Sequence, residues 1–225
     1  MTFTFDYRPS DSPLVDTVWR SYSSGGGSFI SNAASQWEIV VTKQKDTITL
    51  SIRGPETHAS LAPIPEDDEF IGIVFKHGVY MPQFPKSKLV DNAIHLGEHT
   101  KNSFHFLSST WEFPTFENVD TFINRLAQAD HLDFDQVVDD TLRGKTQNLS
   151  LRSIQRRFLY VTGLTHKAIQ QIERAHRAST LLQSGLSIPD TAYQAGYFDQ
   201  AHLTNALRKF YLQTPTQLIQ SNKPA

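Results

Sequence analysis

Ser187-Ile-Pro-Asp-Thr-Ala-Tyr-Gln-Ala-Gly196-Tyr-Phe-Asp199-Gln-Ala-His-Leu-Thr-Asn-Ala-Leu-Arg-Lys-Phe210 decides the architecture of the C-terminal part of this 225-residue chain. Ser187 carries a hydroxyl that can accept from an orphan helix N–H, and Pro189 falls in the first turn, where a missing N–H does no harm. Ala192 is small, and Ala195-Gly196-Tyr197 makes a turn. Asp199 caps a second helix in which Leu203, Ala206, Leu207 and Phe210 are spaced for burial. Gln200, Ala201, Thr204, Asn205 and Arg208 fall on the outer face. A short helix, a glycine turn and a capped helix with one polar-basic face is the pattern of a helix-turn-helix.

A related stretch lies upstream. Ser150 is an N-cap, and Leu151, Ile154, Phe158 and Val161 form a buried stripe opposite Arg152, Gln155, Arg156 and Leu159. Thr162-Gly163 ends that helix, glycine being the usual residue at the left-handed position after it. Thr165 caps a long helix reaching Ser184-Gly185, with Ile169, Ile172, Leu181 and Leu182 as its apolar contacts. Its roughly 20 residues span about 30 Å. The two stretches repeat weakly in either of two registers. An offset of 52 pairs Leu151 with Leu203 and Phe158 with Phe210; an offset of 49 pairs Ile154 with Leu203 and Phe158 with Leu207.

Two such helices joined by a rod of this length reach successive major grooves, which face one side of B-DNA about 34–36 Å apart. Arginine can make bidentate bonds to guanine, and glutamine or asparagine to adenine. Arg143, Lys145, Lys167, Arg174, Arg177, Arg208 and Lys209 supply phosphate neutralisation, and His202, near a helix start, is placed for a phosphate.

Charge sorts the same way. Residues 1–140 hold 10 Lys and Arg against 20 Asp and Glu, a net of −10; residues 141–225 hold 11 against 3, a net of +8. Such asymmetry points to a polyanion-binding module joined to something else. With no Cys, disulfides, thiolate zinc sites and Cys nucleophiles are excluded. No apolar stretch approaches the roughly 18 residues of a membrane span, and no secretory signal is visible, so a cytoplasmic protein off the membrane is expected.

The first hundred residues read as β. Trp37, Ile39 and Val41; Ile48, Leu50 and Ile52; and Ile71, Ile73 and Phe75 alternate with their neighbours, each run burying one side. Turn signals at Lys45-Asp46, Gly54-Pro55 and His77-Gly78, and an acidic loop at Glu66–Glu69, separate them. This predicts a mainly antiparallel β sandwich or barrel. Near residue 117 the period changes: Val119, Phe122, Ile123 and Leu126 follow a helical stripe, and Phe134, Val137, Val138 and Leu142 continue it, with no strand pattern beyond. The expected division is a β-rich region over 1–115, a linking helix region over 116–130, and an all-α tandem helix-turn-helix over 131–225.

The run Ser150-Leu-Arg-Ser-Ile-Gln-Arg-Arg-Phe158, then Thr162-Gly163, Ala195-Gly196-Tyr197-Phe-Asp199-Gln200-Ala-His202-Leu203, Phe210 and Thr214-Pro215 resembles the AraC/XylS transcription regulators over roughly residues 130–220. The resemblance implies two helix-turn-helix units on a long central helix, binding adjacent major grooves. Its base-reading positions fall on Arg152, Gln155 and Arg156 in the first unit, and on Gln200, Ala201, Thr204 and Asn205 in the second. Ala201 cannot hydrogen-bond a base edge. The first unit departs from the pattern in carrying Asp135, Asp139 and Asp140 and the polar loop Gly144–Asn148. The N-terminal half is similar, more faintly, to the β-rich sensor domains that precede this module in such regulators.

These readings converge on a sequence-specific double-stranded-DNA-binding transcription regulator, not an enzyme, with no cofactor. Its candidate partners are duplex DNA, a small-molecule effector sensed by the β region, RNA polymerase and a second copy of the chain. The alternative from another class is a metal- or ligand-binding β-barrel enzyme fused to a DNA-binding module. His95, Glu98, His99 and His105 would carry the metal, although His95 and His99 share a face only on a helix. Trp19, Trp37 and Trp111 are expected in the core, or lining an aromatic pocket.

Overall fold

A computed structural model describes residues 3–45, 47–84, 86–96, 98–100 and 102–221. Its strands are β1 (Phe3–Arg8), β2 (Val15–Ser23), β3 (Gly27–Ser31), β4 (Glu38–Gln44), β5 (Thr47–Arg53), β6 (Ser60–Ile64), β7 (Asp68–Phe75), β8 (Val79–Tyr80), β9 (Ala93–Leu96), β10 (Glu98–Thr100), β11 (Ser103–Phe106) and β12 (Ser109–Glu112). A 3-10 turn at Lys86–Lys88 precedes β9. Then come α1 (Val119–Gln128), β13 (Asp133–Phe134), α2 (Gln136–Leu142), α3 (Leu151–Thr162), α4 (His166–Gln183), α5 (Ile188–Gln194), α6 (Gln200–Tyr211) and α7 (Pro215–Ser221).

The main sheet is antiparallel in the order β1-β2-β7-β4-β5-β9, and β10-β11-β12 form a second sheet. The register places Val18, Ile73, Ile39 and Ile52 side by side across four strands. Because side chains alternate along a strand, these share one face with Val41, Leu50 and Ile71. That face packs with Phe104, Phe106 and Trp111 and with the buried stripe of α1, Val119, Phe122, Ile123 and Leu126. The β region is thus sandwich-like. Trp37 and Trp111 lie in this core, and Trp37 stacks on Phe75 with ring centroids 3.9 Å apart. Trp19 lies across Gly72: a Cβ there would sit 1.9 Å from the indole Cε2, so only glycine fits beneath the ring.

Three local expectations are corrected. Asp68 opens β7 instead of lying in a solvated acidic loop, and it is only 1% exposed. Burial pushes its carboxyl pKa up. Phe134 is a strand residue, because Asp133–Phe134 pairs antiparallel with Val79–Tyr80; a two-residue strand leaves no period in sequence. Leu151 is 79% exposed and outside the buried stripe of its helix, whose buried residues all lie in its C-terminal half.

Contacts group the chain into two compact units. The first comprises residues 1–28, 36–55 and 63–165, and the second residues 29–35, 56–62 and 166–225. Grouping by contact differs from grouping by element type and motif: α2 and α3 fall in the first unit, and two early segments fall in the second. No helix among the described residues is long and apolar enough to cross a membrane.

Candidate nucleic-acid interface

In the second unit, α5 and α6 form a helix-turn-helix against α4. The Ser187 hydroxyl accepts from the Asp190 N–H, and the Asp199 carboxylate accepts from the His202 N–H at 2.7 Å. Both are N-caps, each satisfying one orphan donor of a first turn. Leu203, Leu207 and Phe210 are buried while Gln200, Ala201, His202, Asn205, Arg208 and Lys209 are exposed, so α6 presents the outer face its sequence pattern requires. Thr204 is half-exposed, and its hydroxyl donates to the Gln200 carbonyl at 2.8 Å.

Two arginines expected on phosphates each bond a carbonyl of this motif. Arg174 Nη1 donates to the Gly196 carbonyl at 3.2 Å, and its guanidinium lies 5.3 Å from the centre of the buried Tyr197 ring. Arg177 Nη2 donates to the Ala195 carbonyl at 3.1 Å. Both hold the turn between α5 and α6 while keeping their charge near it. The Tyr197 ring also meets His202 edge-on, with centroids 5.1 Å apart. Lys209 Nζ sits 4.9 Å from the centre of the Phe210 ring.

The C-terminal end of α6 is completed from far away in sequence. The Ala59 N–H donates to the Lys209 carbonyl and the Ala33 N–H to the Phe210 carbonyl, each at 2.9 Å. These are carbonyls that a helix end leaves without an intrahelical partner. His176 Nε2 lies 2.7 Å from the Ala33 carbonyl, and the Ser35 hydroxyl donates to the Glu173 carboxylate. Ala33 and Ala59 are themselves buried, and their small side chains permit the close approach. No sequence signal marks this docking.

In the first unit, α3 repeats the recognition-helix design. The Ser150 hydroxyl accepts from the Ser153 N–H, and Gly163 follows the helix at φ 76°. Arg152, Gln155 and Arg156 are exposed, and Phe158 and Val161 are buried. The helix packs on β8 and the Lys86–Lys88 turn. Tyr160 meets Tyr80 edge-on at 5.5 Å, and Arg157 Nη1 donates to the buried Asp135 carboxylate at 2.6 Å. Asp135 also caps α2, so one acid fixes both helices of this motif. Arg143 pairs with Asp139 at 3.0 Å and Lys145 with Asp140 at 2.7 Å, so neither is an uncompensated cation in this state. Lys167 is exposed at the start of α4.

The bounds of α3 and α6 choose between the two repeat registers. Both helices have 12 residues, both have a side-chain cap, and both are followed by a left-handed residue, Gly163 and Leu212, 49 positions apart. In that register Arg152, Gln155 and Arg156 correspond to Ala201, Thr204 and Asn205.

Elsewhere in the first unit lies a cleft of about 520 Å³ at the rim of the sandwich. Val41, Ile48 and Ile71 contribute apolar surface, with Phe113 and Phe116 beside them. Arg20 on its edge pairs with Asp6 at 2.8 Å and stacks 4.5 Å from the Phe116 centroid; Lys43 lies 3.6 Å from Glu69. No tryptophan lines it. His95 lies on β9 with Nδ1 2.8 Å from the Ser51 hydroxyl, and the Glu98 and His99 side chains fall outside the described ones. Among the described residues no group of three or more His, Cys, Asp or Glu could hold a metal ion.

Residues 145–221 match a family described as a helix-turn-helix domain. Over 82 residues, 36% of this chain, the sequence is 33% identical to the HTH-type transcriptional regulator GlxA of Rhizobium meliloti (strain 1021). That match covers 25% of the relative's length. Among solved structures, ToxT of Vibrio cholerae is similar with a TM-score of 0.44 and 10% identity, over 98% of each chain. ToxT of strain O395 bound to (E)-4-(8-methylnaphthalen-1-yl)but-3-enoic acid gives 0.45 and 10%, over 99% of this chain and 100% of that one. Residues 145–221 are thus a helix-turn-helix domain, set behind an antiparallel β-rich region, and the chain spans about a quarter of the length of the regulator it matches.

Proposed function

We propose that this chain is a sequence-specific double-stranded-DNA-binding transcription regulator that works in the cytoplasm. The observation that carries the reading is the pair of capped helices, each burying one stripe and exposing base-reading residue types, within a matched helix-turn-helix domain. Arg152, Gln155 and Arg156 read bases from α3, and Gln200, Ala201, Thr204 and Asn205 from α6. Lys167, Arg208, Lys209 and His202 anchor phosphates. Arg174 and Arg177 contribute long-range charge while positioning the second turn, and Arg143 and Lys145 act on DNA only by exchanging their carboxylates for phosphate. In functional terms the chain divides into a β-rich region over 1–115, a linker over 116–130 and a DNA-binding region over 131–225. The cleft at the sandwich rim is the place for a small-molecule effector; a second copy of the chain and RNA polymerase are further partners. No enzymatic step and no cofactor enter this reading.

Selection of bound duplexes from a random pool tests it. The full chain is expected to enrich one motif. Arg156→Ala is then expected to weaken the enriched site by about 1–3 kcal/mol and relax selectivity at one base pair. Unchanged affinity and selectivity would remove α3 from the interface.

A further inference from the structure

The start of α6 carries an exposed aromatic ring among polar residues. Phe198, directly before the Asp199 cap, is 93% exposed. An apolar residue in that position ordinarily packs on the fourth residue of the helix and fixes the chain's entry angle. Here that fourth residue, Leu203, is fully buried without it, and the preceding Tyr197, 8% exposed, enters the interior instead. Phe198 therefore does no packing work for its own fold. Within the helix, Ala201 and Thr204 stand three residues apart on the outer face. Ala201 offers only a methyl. The Thr204 hydroxyl spends its proton on the Gln200 carbonyl, leaving its methyl as the surface group without a competing donor. A lone exposed aromatic is common on protein surfaces. An exposed ring just before the cap and two methyls on the outer face of the helix are apolar groups with one matching feature in the major groove, the thymine C5-methyl.

We propose that the second helix-turn-helix reads thymine by its methyl group, with Phe198 as the specificity-determining residue and Ala201 and the Thr204 methyl completing the apolar contact. This rests on the DNA-binding reading above. It separates the two motifs chemically: α3 discriminates by hydrogen bonds, and the front of α6 by apolar contact with Gln200 and Asn205 flanking it.

The test uses the full chain and its selected duplex. Each thymine of the site is replaced in turn by deoxyuridine, which deletes only the C5-methyl. Titration by fluorescence anisotropy is expected to show about three- to tenfold weaker binding at one or two thymines. In Phe198→Ser, whose fold should be unaffected given the exposure of the ring, the same replacements should cost less than about twofold. Selective binding that tolerates deoxyuridine at every thymine overturns the inference alone, as does a methyl effect undiminished in Phe198→Ser. Failure to enrich any duplex overturns the DNA-binding reading itself and this inference with it.

Discussion

The two candidate recognition helices, α3 and α6, have the same length, a side-chain cap at one end and a left-handed residue at the other, yet nearly everything they present differs. In the common register α3 offers Arg152, Gln155 and Arg156, all able to bond base edges. In the same places α6 offers Ala201, Thr204 and Asn205. Their beds differ too. Past its end, α3 abuts the Lys86–Lys88 turn through Gly163, whereas α6 closes with carbonyls bonded to Ala33 and Ala59. The helical frame is set by local rules of capping and burial, which both obey. The reading face and the supporting surface are free of those rules and can diverge.

The largest effect that would sharpen this contrast is at the helix ends. A Cβ on Gly163 would lie 2.7 Å from Val90 Cγ2 and 2.9 Å from the Lys86 carbonyl oxygen, at a φ that side chains disfavour. Gly163→Ala is expected to destabilise the first unit by about 2–4 kcal/mol in urea denaturation. Leu212 holds a left-handed φ of 52° with its side chain 45% exposed, so Leu212→Ala should shift stability by less than about 1 kcal/mol. Equal losses at the two ends would contradict the difference in beds.

Next comes the reading face. Arg156→Ala should cost more binding free energy at the selected site than Asn205→Ala, because a charge-assisted bidentate bond is lost in one case and a neutral pair in the other, roughly 1–3 kcal/mol being the range for each. A reversed order would assign the stronger hydrogen-bond readout to α6.

The bed of α3 also holds a titration. Lys86 is 8% exposed, with Nζ donating to the Met81 carbonyl and, at 2.6 Å, to that of Phe84; burial lowers its pKa to about 8. The unfolded chain keeps that proton to about pH 10.4, so between pH 8 and 10 it binds more protons than the folded one. Stability should therefore rise over that window relative to Lys86→Met, by about 1–2 kcal/mol. A flat difference between the two proteins would place the ammonium in a solvated site.

Leu212→Gly should be the mildest change, a gain of about 0.5–1 kcal/mol from relief of the left-handed strain, offset in part by glycine's greater unfolded freedom. A loss in thermal unfolding would mean that the half-exposed Leu212 side chain packs better than its surroundings indicate.

Much of this was legible in the residues. Ser150, Ser187 and Asp199 announced the helix starts because a short polar side chain before an apolar stripe has few other uses. Ile39, Ile52 and Ile73 announced one sheet face because alternation leaves no other place for them. Other features left no such trace. Phe134 joined a two-residue strand, Asp68 entered the interior, and Arg174 and Arg177 bonded the Gly196 and Ala195 carbonyls of the second turn. Each depends on a partner many positions away, and nothing in a local window records distance in space.

By itself the sequence determined the tandem motif, its caps and the face each helix exposes, because hydrogen bonds within a turn and the 3.6-residue period act over a few residues. It also determined the charge split that makes the C-terminal part a candidate for a polyanion. Only the tertiary structure decided that the repeat runs at 49 residues. It alone decided that Ala33 and Ala59 finish α6, and that Phe198 stands in solvent while Tyr197 goes in. The physical reason is that orphan carbonyls and apolar rings take whichever partner the folded chain brings within reach, and that choice is made by long-range packing.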